Sequence, residues 1–167
     1  MRLPSCICEV KKSAGKETEM LRILVIDAQG GGIGKQIIGS IRARKLEAFI
    51  TAVGTNSLAT TAMLRAGADA AATGENAVIV GCRKADLIIG PIGIVIADSL
   101  YGEITPAMAA AVGRSDAKRL LIPVNKCDNI IAGLVKDGNL GTYINDAVRI
   151  TAGLIAEKRG ELPEDIC

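Results

Sequence analysis

The residues best suited to chemistry form a glycine-rich turn near the start of the chain. Residues 21–36 read LRILVIDAQGGGIGKQ, so an apolar run is followed by four glycines within five positions. Glycine carries no Cβ, which lets backbone amides approach a ligand closely, and a helix that begins after such a turn presents unpaired amides to an anion. We therefore predict a phosphate-binding turn. Its residues are Gln29, Gly30, Gly31, Gly32, Ile33, Gly34 and Lys35.

Two dinucleotide-binding patterns fit this turn only in part. The pattern GxGxxG fits Gly30 and Gly32 but requires a third glycine at Lys35. The short-chain dehydrogenase pattern GxxxGxG has Ala28 at its first glycine. A turn that holds no ligand remains an alternative, although so many glycines would cost chain entropy for a turn alone.

The P-loop patterns also fit in part. GxxxxGK[ST] matches Gly34 and Lys35, but Gln29 stands at its first glycine and Gln36 stands where a Mg²⁺-binding hydroxyl belongs. The deviant form KGGxGK[ST] fits better, yet Gly30 replaces its first lysine. The sequence therefore predicts a phosphate ligand without deciding between NAD(P) and an ATP-like nucleotide.

Four further residues bear on the ligand. Asp27 ends the first apolar run and could either hold Mg²⁺ with a nucleotide or brace the turn by accepting backbone hydrogen bonds. Thr55 and Asn56 follow the second apolar run, where NAD-binding domains usually place an acid for the ribose. They could bind ribose or phosphate, or Asn56 could simply cap a helix. Gly90, after the fourth run, completes the predicted cofactor-binding set.

The elements that must position these residues alternate between strand and helix patterns. Predicted strands cover residues 21–26, 48–53, 68–72, 86–89 and 119–124, with a sixth at 130–134; predicted helices cover 34–45, 57–66, 75–84, 106–112 and 140–158. This order indicates βαβ units, hence a Rossmann-like three-layer α/β/α sandwich around a mainly parallel sheet of five to six strands. Ligands bind outside the carboxyl ends of such strands. We expect five loops there, at residues 28–34, 54–57, 73–76, 90–93 and 123–127.

Known catalytic machinery is largely absent from the sequence. The chain has no histidine, which excludes Ser-His-Asp and Cys-His catalysis and histidine-ligated metals. The YxxxK motif of short-chain dehydrogenases fails, because Thr105 follows Tyr101 and Ala147 follows Tyr143 at the lysine position. Acid, base or nucleophilic groups remain, each with an ordinary capping or solvent-facing alternative. They are Glu75, Asp98, Glu103, Lys126 and Cys127.

Composition limits the partners. With 167 residues, 49% hydrophobic content and mean hydropathy +0.34, we expect a globular protein with one domain. Twenty basic residues against 18 acidic ones are interspersed, and one Phe, two Tyr and no Trp offer few stacking surfaces, so we expect no nucleic acid. The apolar residues 87–97 are too few to span a membrane. Five cysteines without CxxC spacing indicate reduced thiols and a cytoplasmic protein.

The ends of the chain differ from its middle. Residues 1–19 are polar and charged, and we expect a disordered tail there, which could be an over-extended gene start if the true start is Met20. Residues 20–158 form the single predicted domain, and residues 159–167 form a C-terminal tail.

Four segments carry a resemblance to a known family: VIDAQGGGIGK, GTNSLATTAMLRAGADAAATGENAVIV, DLIIGPIGIVIADSLYGEITPAMA and LLIPVNKC. Over roughly residues 21–156 the chain resembles an uncharacterised bacterial family, domain-of-unknown-function family 3842, most familiar from anaerobic Firmicutes. The resemblance implies a cytoplasmic protein that starts near Met20. It implies no activity, cofactor or catalytic residue.

Three hypotheses follow. The first is a Rossmann-like protein that binds a nucleotide or dinucleotide as its small-molecule partner. The second is a small phosphate-transferring or hydrolytic enzyme in which Lys35 neutralises phosphate and Asp27 holds Mg²⁺. The third is a structural or regulatory subunit with an empty turn, whose exposed apolar loop at residues 92–96 packs on a partner or on another copy in a homo-oligomer.

Overall fold

Five strands alternate with helices in a computed structural model that describes residues 20–124, 131 and 139–161. The strands are β1 (Leu21–Asp27), β2 (Ala48–Gly54), β3 (Ala70–Thr73), β4 (Leu87–Pro91) and β5 (Lys118–Ile122). The helices are α1 (Gly32–Ala43), α2 (Ser57–Arg65), α3 (Glu75–Cys82), the short α4 (Ser99–Gly102), α5 (Pro106–Arg114) and α6 (Leu140–Arg159), with a 3₁₀ turn at Ile92–Val95. The sixth strand predicted at 130–134 lies outside the described residues apart from Ile131.

The sheet is parallel and has the order β3-β2-β1-β4-β5. Helix α1 contacts both α2 and α6, and these three helices cover one face, whereas α3 and α5 pack together on the other. The predicted three-layer α/β/α architecture is therefore confirmed. None of the helices in the described ranges is long and apolar enough to cross a membrane.

The apolar run of β1 is buried on both sides because it is the central strand. Ile23 and Val25 belong to the core beneath α1 and α6, whereas Leu24 and Ile26 belong to the core beneath α3 and α5. Such a strand reads as a continuous hydrophobic run rather than an alternating one. This burial fixes the end of β1, and hence the glycine turn, against both layers.

Local sequence signals set the helix ends near the site. The Asn56 side chain accepts a hydrogen bond from the Ala59 amide at 2.9 Å and caps α2, which confirms its predicted capping role. Thr105 caps α5, and Pro106 occupies the first turn of that helix. The carboxyl edge of the sheet is therefore lined by helix starts of fixed position.

The chain reverses its direction of travel across the sheet between β3 and β4. From β1 it moves outward through β2 to β3, then returns to place β4 on the other side of β1. The loops that follow β1 and β4 consequently separate and leave a crevice between them, which is the usual ligand position in open parallel sheets.

The segment at residues 92–96 corrects the third hypothesis. We expected an exposed apolar loop, but these residues include the 3₁₀ turn, and Ile94 is fully buried beside Leu100 and Ile104 in the core under α3 and α5. Ile92, Val95 and Ile96 are partly buried, and Val95 packs against the same core. The segment is therefore packed in part against the protein rather than forming a fully exposed apolar loop.

Asp86 ties three elements together at the opposite, amino-terminal edge of the sheet. Its Oδ2 atom accepts hydrogen bonds from the Arg22 amide at 2.8 Å and from the Lys158 ammonium at 2.7 Å. Its Oδ1 atom accepts from the Arg22 guanidinium at 3.2 Å. Burial alone would raise the pKa of Asp86, but these donors outweigh it and lower the pKa from 3.8 to about 2.

We predict that Asp86 stabilises the fold in a pH-dependent way. A lowered native pKa gives stability that is complete above the unfolded pKa of 3.8 and is lost as pH falls towards about 2. Asp86→Asn should cost about 1–2 kcal/mol at pH 6, and its difference from wild type should shrink between pH of about 4 and about 2. Urea unfolding at several pH values measures this. Asp146→Asn, which breaks an exposed ion pair with Arg149, is the control with little expected loss.

Candidate active-site crevice

Two glycines of the turn are required by the fold itself. Gly31 has φ +66°, and a Cβ atom there would lie 2.7 Å from the backbone of Ala59 in α2. A Cβ atom at Gly34 would collide with the side chain of Met63. Gly31 and Gly34 therefore let the turn and α1 pack closely against α2, whether or not a ligand binds.

The other two glycines have no such explanation. A Cβ atom at Gly30 or Gly32 would meet no described atom within 4 Å, and neither residue has a positive φ. Among the described residues, the amides of Gly30 and Gly32 donate to no protein acceptor. The turn is thus tightly packed on one side and open on the other.

Asp27 braces the packed side of the turn. Its Oδ1 atom accepts a hydrogen bond from the Ala28 amide at 2.8 Å, and its Oδ2 atom accepts from the Gly34 amide at 2.7 Å. Burial raises the pKa of Asp27, the hydrogen bonds from Gly34 and Ala28 counteract part of that rise, and the nearby carboxylate of Glu103 adds to it. Of the two roles considered for Asp27, this geometry matches bracing. The described residues contain no cluster of three or more Cys, Asp or Glu side chains that could hold a metal.

A cavity of about 280 Å³ opens at the crevice between the loops after β1 and β4. Its polar side comes from the turn and α1, where Gln36 donates from its Nε2 atom to the Gly32 carbonyl at 3.2 Å. The other side is apolar. The lining residues are Asp27, Ala28, Gln29, Gly30, Gly32, Ile33, Gln36, Pro91, Leu100, Val124 and Leu140.

A larger groove of about 530 Å³ lies elsewhere, between α3 and α5. It is bordered by Ala85 and Ala117, which precede β4 and β5, so it opens at the amino-terminal edge of the sheet. Ligands of open parallel sheets bind at the opposite edge. We therefore assign the candidate site to the smaller cavity.

A carboxylate from a distant loop lies beside the crevice, in contact with Gln29, which lines the cavity. Glu103, between α4 and α5, accepts from the Gln29 amide at 3.0 Å and from the Asn56 side-chain amide at 2.9 Å through its Oε2 atom. The same atom accepts from the Thr55 hydroxyl. Burial would raise the pKa of Glu103, but the donors outweigh it and lower the pKa. Glu103 therefore joins the loops after β1, β2 and β4.

Gln29 lies between this carboxylate and the cavity. Its backbone is left-handed, with φ +54°, and its carbonyl accepts from the Asn56 side-chain amide at 2.9 Å. Its side-chain Nε2 atom is buried and has no hydrogen-bond partner in the described part of the chain. A buried amide without an acceptor costs free energy, so this atom suits a ligand oxygen.

The backbone before Glu103 is strained. Asp98, Leu100 and Tyr101 have φ values of +61°, +53° and +61°, a conformation that costs side-chain-bearing residues about 1–2 kcal/mol each. The Ser99 hydroxyl, buried, donates to the Gly93 carbonyl at 2.6 Å and holds the turn in place. As a result Leu100 points into the cavity wall, whereas the Tyr101 side chain is 92% exposed.

The predicted site residues thus fall into three groups. Gln29, Gly30, Gly32 and Ile33 line the cavity. Thr55 and Asn56 lie beside them but are joined to Glu103 rather than to the cavity. The remaining four do not line it: Gly31 and Gly34 pack against α2, Lys35 is exposed on α1, and Gly90 is buried in β4 against the Ile26 carbonyl.

Several candidates considered for chemistry have other roles or lie outside the described residues. Glu75 accepts a hydrogen bond from the Thr105 hydroxyl, and Asp98 is exposed without a side-chain hydrogen bond in the described part of the chain. Glu103 reaches across to the Gln29 amide and is therefore not simply solvent-facing. Asn125, Lys126 and Cys127 lie outside the described residues.

The apolar cavity wall and the position of Glu103 were not predicted from sequence. Pro91, Leu100, Val124 and Leu140 come from four separate parts of the chain, and only the packing of α6 beside α1 brings Leu140 there. The sequence DSLYG gave little signal of the strained turn, because only one of its four left-handed positions is glycine.

Comparison with known proteins gives a family but no reaction. The family model for a domain of unknown function, DUF3842, matches residues 22–156. No curated protein sequence matches the chain. Among solved structures, a dodecameric FMN-dependent UbiX-like decarboxylase from Escherichia coli O157:H7 is similar at 16% identity and a TM-score of 0.43, over 88% of this chain and 100% of that one. At this identity and TM-score the likeness does not extend to ligand or reaction.

We predict that Asp27→Asn destabilises the protein by about 1–3 kcal/mol at pH 7, because an amide NH₂ group replaces one of the two acceptor oxygens. The raised native pKa of Asp27 means that wild type takes up a proton more readily when folded than when unfolded, where the pKa is 3.8. The stability of wild type relative to the variant therefore rises as the pH is lowered from 7, through the raised pKa of Asp27, to a pH of about 4. Urea unfolding at pH 7 and at a pH of about 4 measures this difference, with Asp98→Asn as the control. A stability gap that stays constant with pH would contradict the assignment.

Proposed function

We propose that this chain, which belongs to the domain-of-unknown-function family DUF3842, binds a nucleotide or dinucleotide in the crevice between the loops after β1 and β4. The observation that carries the proposal is the open side of the glycine turn. Gly30 and Gly32 line the cavity and are needed neither for positive φ nor for packing. Their lack of a side chain keeps that space free for a ligand.

The chemistry of the open side suits a phosphate group. Gly32 is the first residue of α1, a helix of 12 residues whose start carries the positive end of its dipole. The unpaired amides of Gly30 and Gly32 lie at the same place, and an anion would accept from them. Asp27 also lines the cavity and would oppose an anion electrostatically, but both of its carboxylate oxygens already accept hydrogen bonds, from the Ala28 and Gly34 amides.

The rest of the cavity suits the remainder of a nucleotide. The wall formed by Pro91, Leu100, Val124 and Leu140 is apolar, whereas the Gln29 side chain offers a buried amide donor. Small-molecule sites commonly combine an apolar lining with a few placed polar groups, in volumes of about 300 Å³ and above. A free phosphate ion would leave the apolar wall without a partner.

Phosphate transfer is less well supported than binding. That hypothesis assigned Mg²⁺ to Asp27, but both carboxylate oxygens of Asp27 accept backbone amides. Gln36 occupies the position of the metal-binding hydroxyl and donates to the Gly32 carbonyl. We therefore propose a binding protein rather than an enzyme of the P-loop type.

We predict that Gly32→Asp abolishes nucleotide binding and leaves the fold intact. A Cβ atom at position 32 meets no described atom within 4 Å, and an acid at the start of a helix is favourable, so the free protein should unfold at an unchanged or higher temperature. The negative charge would nevertheless occupy the phosphate position. Dye-based thermal unfolding measures this against NAD, NADP, ATP, ADP, flavin and S-adenosylmethionine, each with and without Mg²⁺.

Wild type at a ligand concentration of about 100 Kd should gain about 2.7 kcal/mol, which corresponds to a shift of roughly 5–10 °C. Gly39→Asp is the matched control, because Gly39 lies in the same helix and a Cβ atom there also meets no described atom within 4 Å. It should keep the ligand-induced shift. An equal shift in Gly32→Asp would place the ligand elsewhere.

Lys35→Ala separates binding from phosphate transfer. Because Lys35 is exposed on α1 and does not line the cavity, we predict that its removal weakens nucleotide binding only about two- to fivefold, as expected for a solvent-screened charge. Calorimetric titration gives the affinity, and phosphate release gives any turnover. Measurable phosphate release by wild type that is lost in Lys35→Ala would instead favour the enzyme.

A further inference from the structure

An acid reaches the end of β2 although the sequence there contains none. NAD-binding domains usually place an acid at that point, where it accepts hydrogen bonds from ribose hydroxyls. Here residues 54–57 read GTNS. The Glu103 carboxylate comes to this position from the loop between α4 and α5 and accepts from the side chains of Thr55 and Asn56. The structure thus supplies from another loop the chemical group that the β2 loop lacks.

The two oxygens of this carboxylate differ in their surroundings. Oε2 accepts three hydrogen bonds, from Thr55, Asn56 and the Gln29 amide. Oε1 accepts none from the described residues, and Glu103 is only partly buried. A carboxylate can accept about four hydrogen bonds in total. The carboxylate is therefore held firmly by one oxygen while the other can accept from a hydroxyl donor.

The position of Glu103 relative to the glycine turn matches the layout of a nucleotide. Gln29 donates its amide to Glu103, and the next residue, Gly30, begins the open side of the turn. The carboxylate and the open amides are thus held by adjacent residues, as the ribose and its 5′-phosphate are adjacent groups of a nucleotide. Gln29 also lines the cavity, and its buried Nε2 atom has no acceptor among the described residues, which is an independent sign that this residue has a polar partner still to bind.

We propose that Glu103 recognises the ribose of the bound nucleotide, accepting a hydrogen bond from its 2′,3′-diol and repelling a 2′-phosphate. This inference rests on the nucleotide binding proposed above. It narrows the ligand to ribonucleotides or dinucleotides with a free diol, so NAD or ADP is selected over NADP or 2′-deoxy-ADP. The strained turn at residues 98–102 is the element that holds Glu103 across the crevice.

The test compares four ligands on three proteins by calorimetric titration. The ligand pairs are ADP with 2′-deoxy-ADP and NAD with NADP, and the proteins are wild type, Glu103→Gln and Asp98→Asn. Glu103→Gln keeps the length of the side chain and one acceptor oxygen but removes the charge. Asp98→Asn removes an exposed charge from the same loop, and asparagine tolerates the left-handed backbone there.

If the Glu103 carboxylate accepts a hydrogen bond from the ribose 2′-hydroxyl, wild type should bind ADP about ten- to a hundredfold more tightly than 2′-deoxy-ADP. Wild type should also bind NAD more tightly than NADP by a similar factor. Both ratios should fall at least fivefold in Glu103→Gln and stay unchanged in Asp98→Asn. The ratios are the informative quantity, because a purely structural role of Glu103 would weaken all four ligands equally.

Each other outcome has a definite meaning. If wild type binds nucleotides with ratios near one, the ribose assignment is wrong while the proposed binding function stands. If Glu103→Gln weakens every ligand by the same factor, Glu103 only supports the loops, and the assignment is again wrong. If wild type binds none of the four ligands, this inference fails; the proposed function fails as well only if the thermal-unfolding test also shows no shift with ATP, flavin or S-adenosylmethionine.

Discussion

The hydrogen bonds of Asp27 are the constraint on which the site depends. This one carboxylate joins the last residue of the central strand to the amide of Gly34 in the first turn of α1. The bond sets how closely the helix approaches the sheet, and the close approach in turn requires Gly34 and Gly31. Because that side of the turn is filled by packing, Gly30 and Gly32 face outward. An internal acid therefore creates the open surface that a ligand would use.

Electrostatics at this edge of the sheet are balanced rather than strongly positive. Helix starts favour anions there, but Asp27 already satisfies the Gly34 amide, and Glu103 satisfies the Gln29 amide and the two side chains after β2. Only a few donors remain for a ligand. A site built in this way owes its selectivity to the arrangement of those donors more than to net charge, which is consistent with the near-equal numbers of basic and acidic residues in the chain.

Much of the fold could be predicted because its signals are local. The apolar run of β1, the Asn56 cap and Pro106 at the start of α5 each act within a few residues. The roles of the site residues could not be predicted in the same way, because they depend on contacts between residues that are distant in sequence. Whether a glycine of the turn is required for packing depends on α2, which is distant in sequence. The sequence alone therefore does not distinguish Gly31, which packs against Ala59, from Gly32, which does not. The role of Glu103 likewise depends on loop crossings that no periodicity encodes. Ile94 was assigned to an exposed loop because its burial depends on the core under α3 and α5, which lie elsewhere in the sequence.

The strand order also determines how the chain can fold. β1 needs β4 as its second neighbour, and the contact that anchors their starts, between Arg22 and Asp86, spans 64 residues. Closing so long a loop costs more chain entropy than pairing β1 with β2, so the β1-β2-β3 half is expected to assemble before the sheet is complete. Until β4 arrives, one edge of the central strand and its apolar faces stay open to other chains. The crevice between β1 and β4 consequently comes into existence only in the last stage of folding.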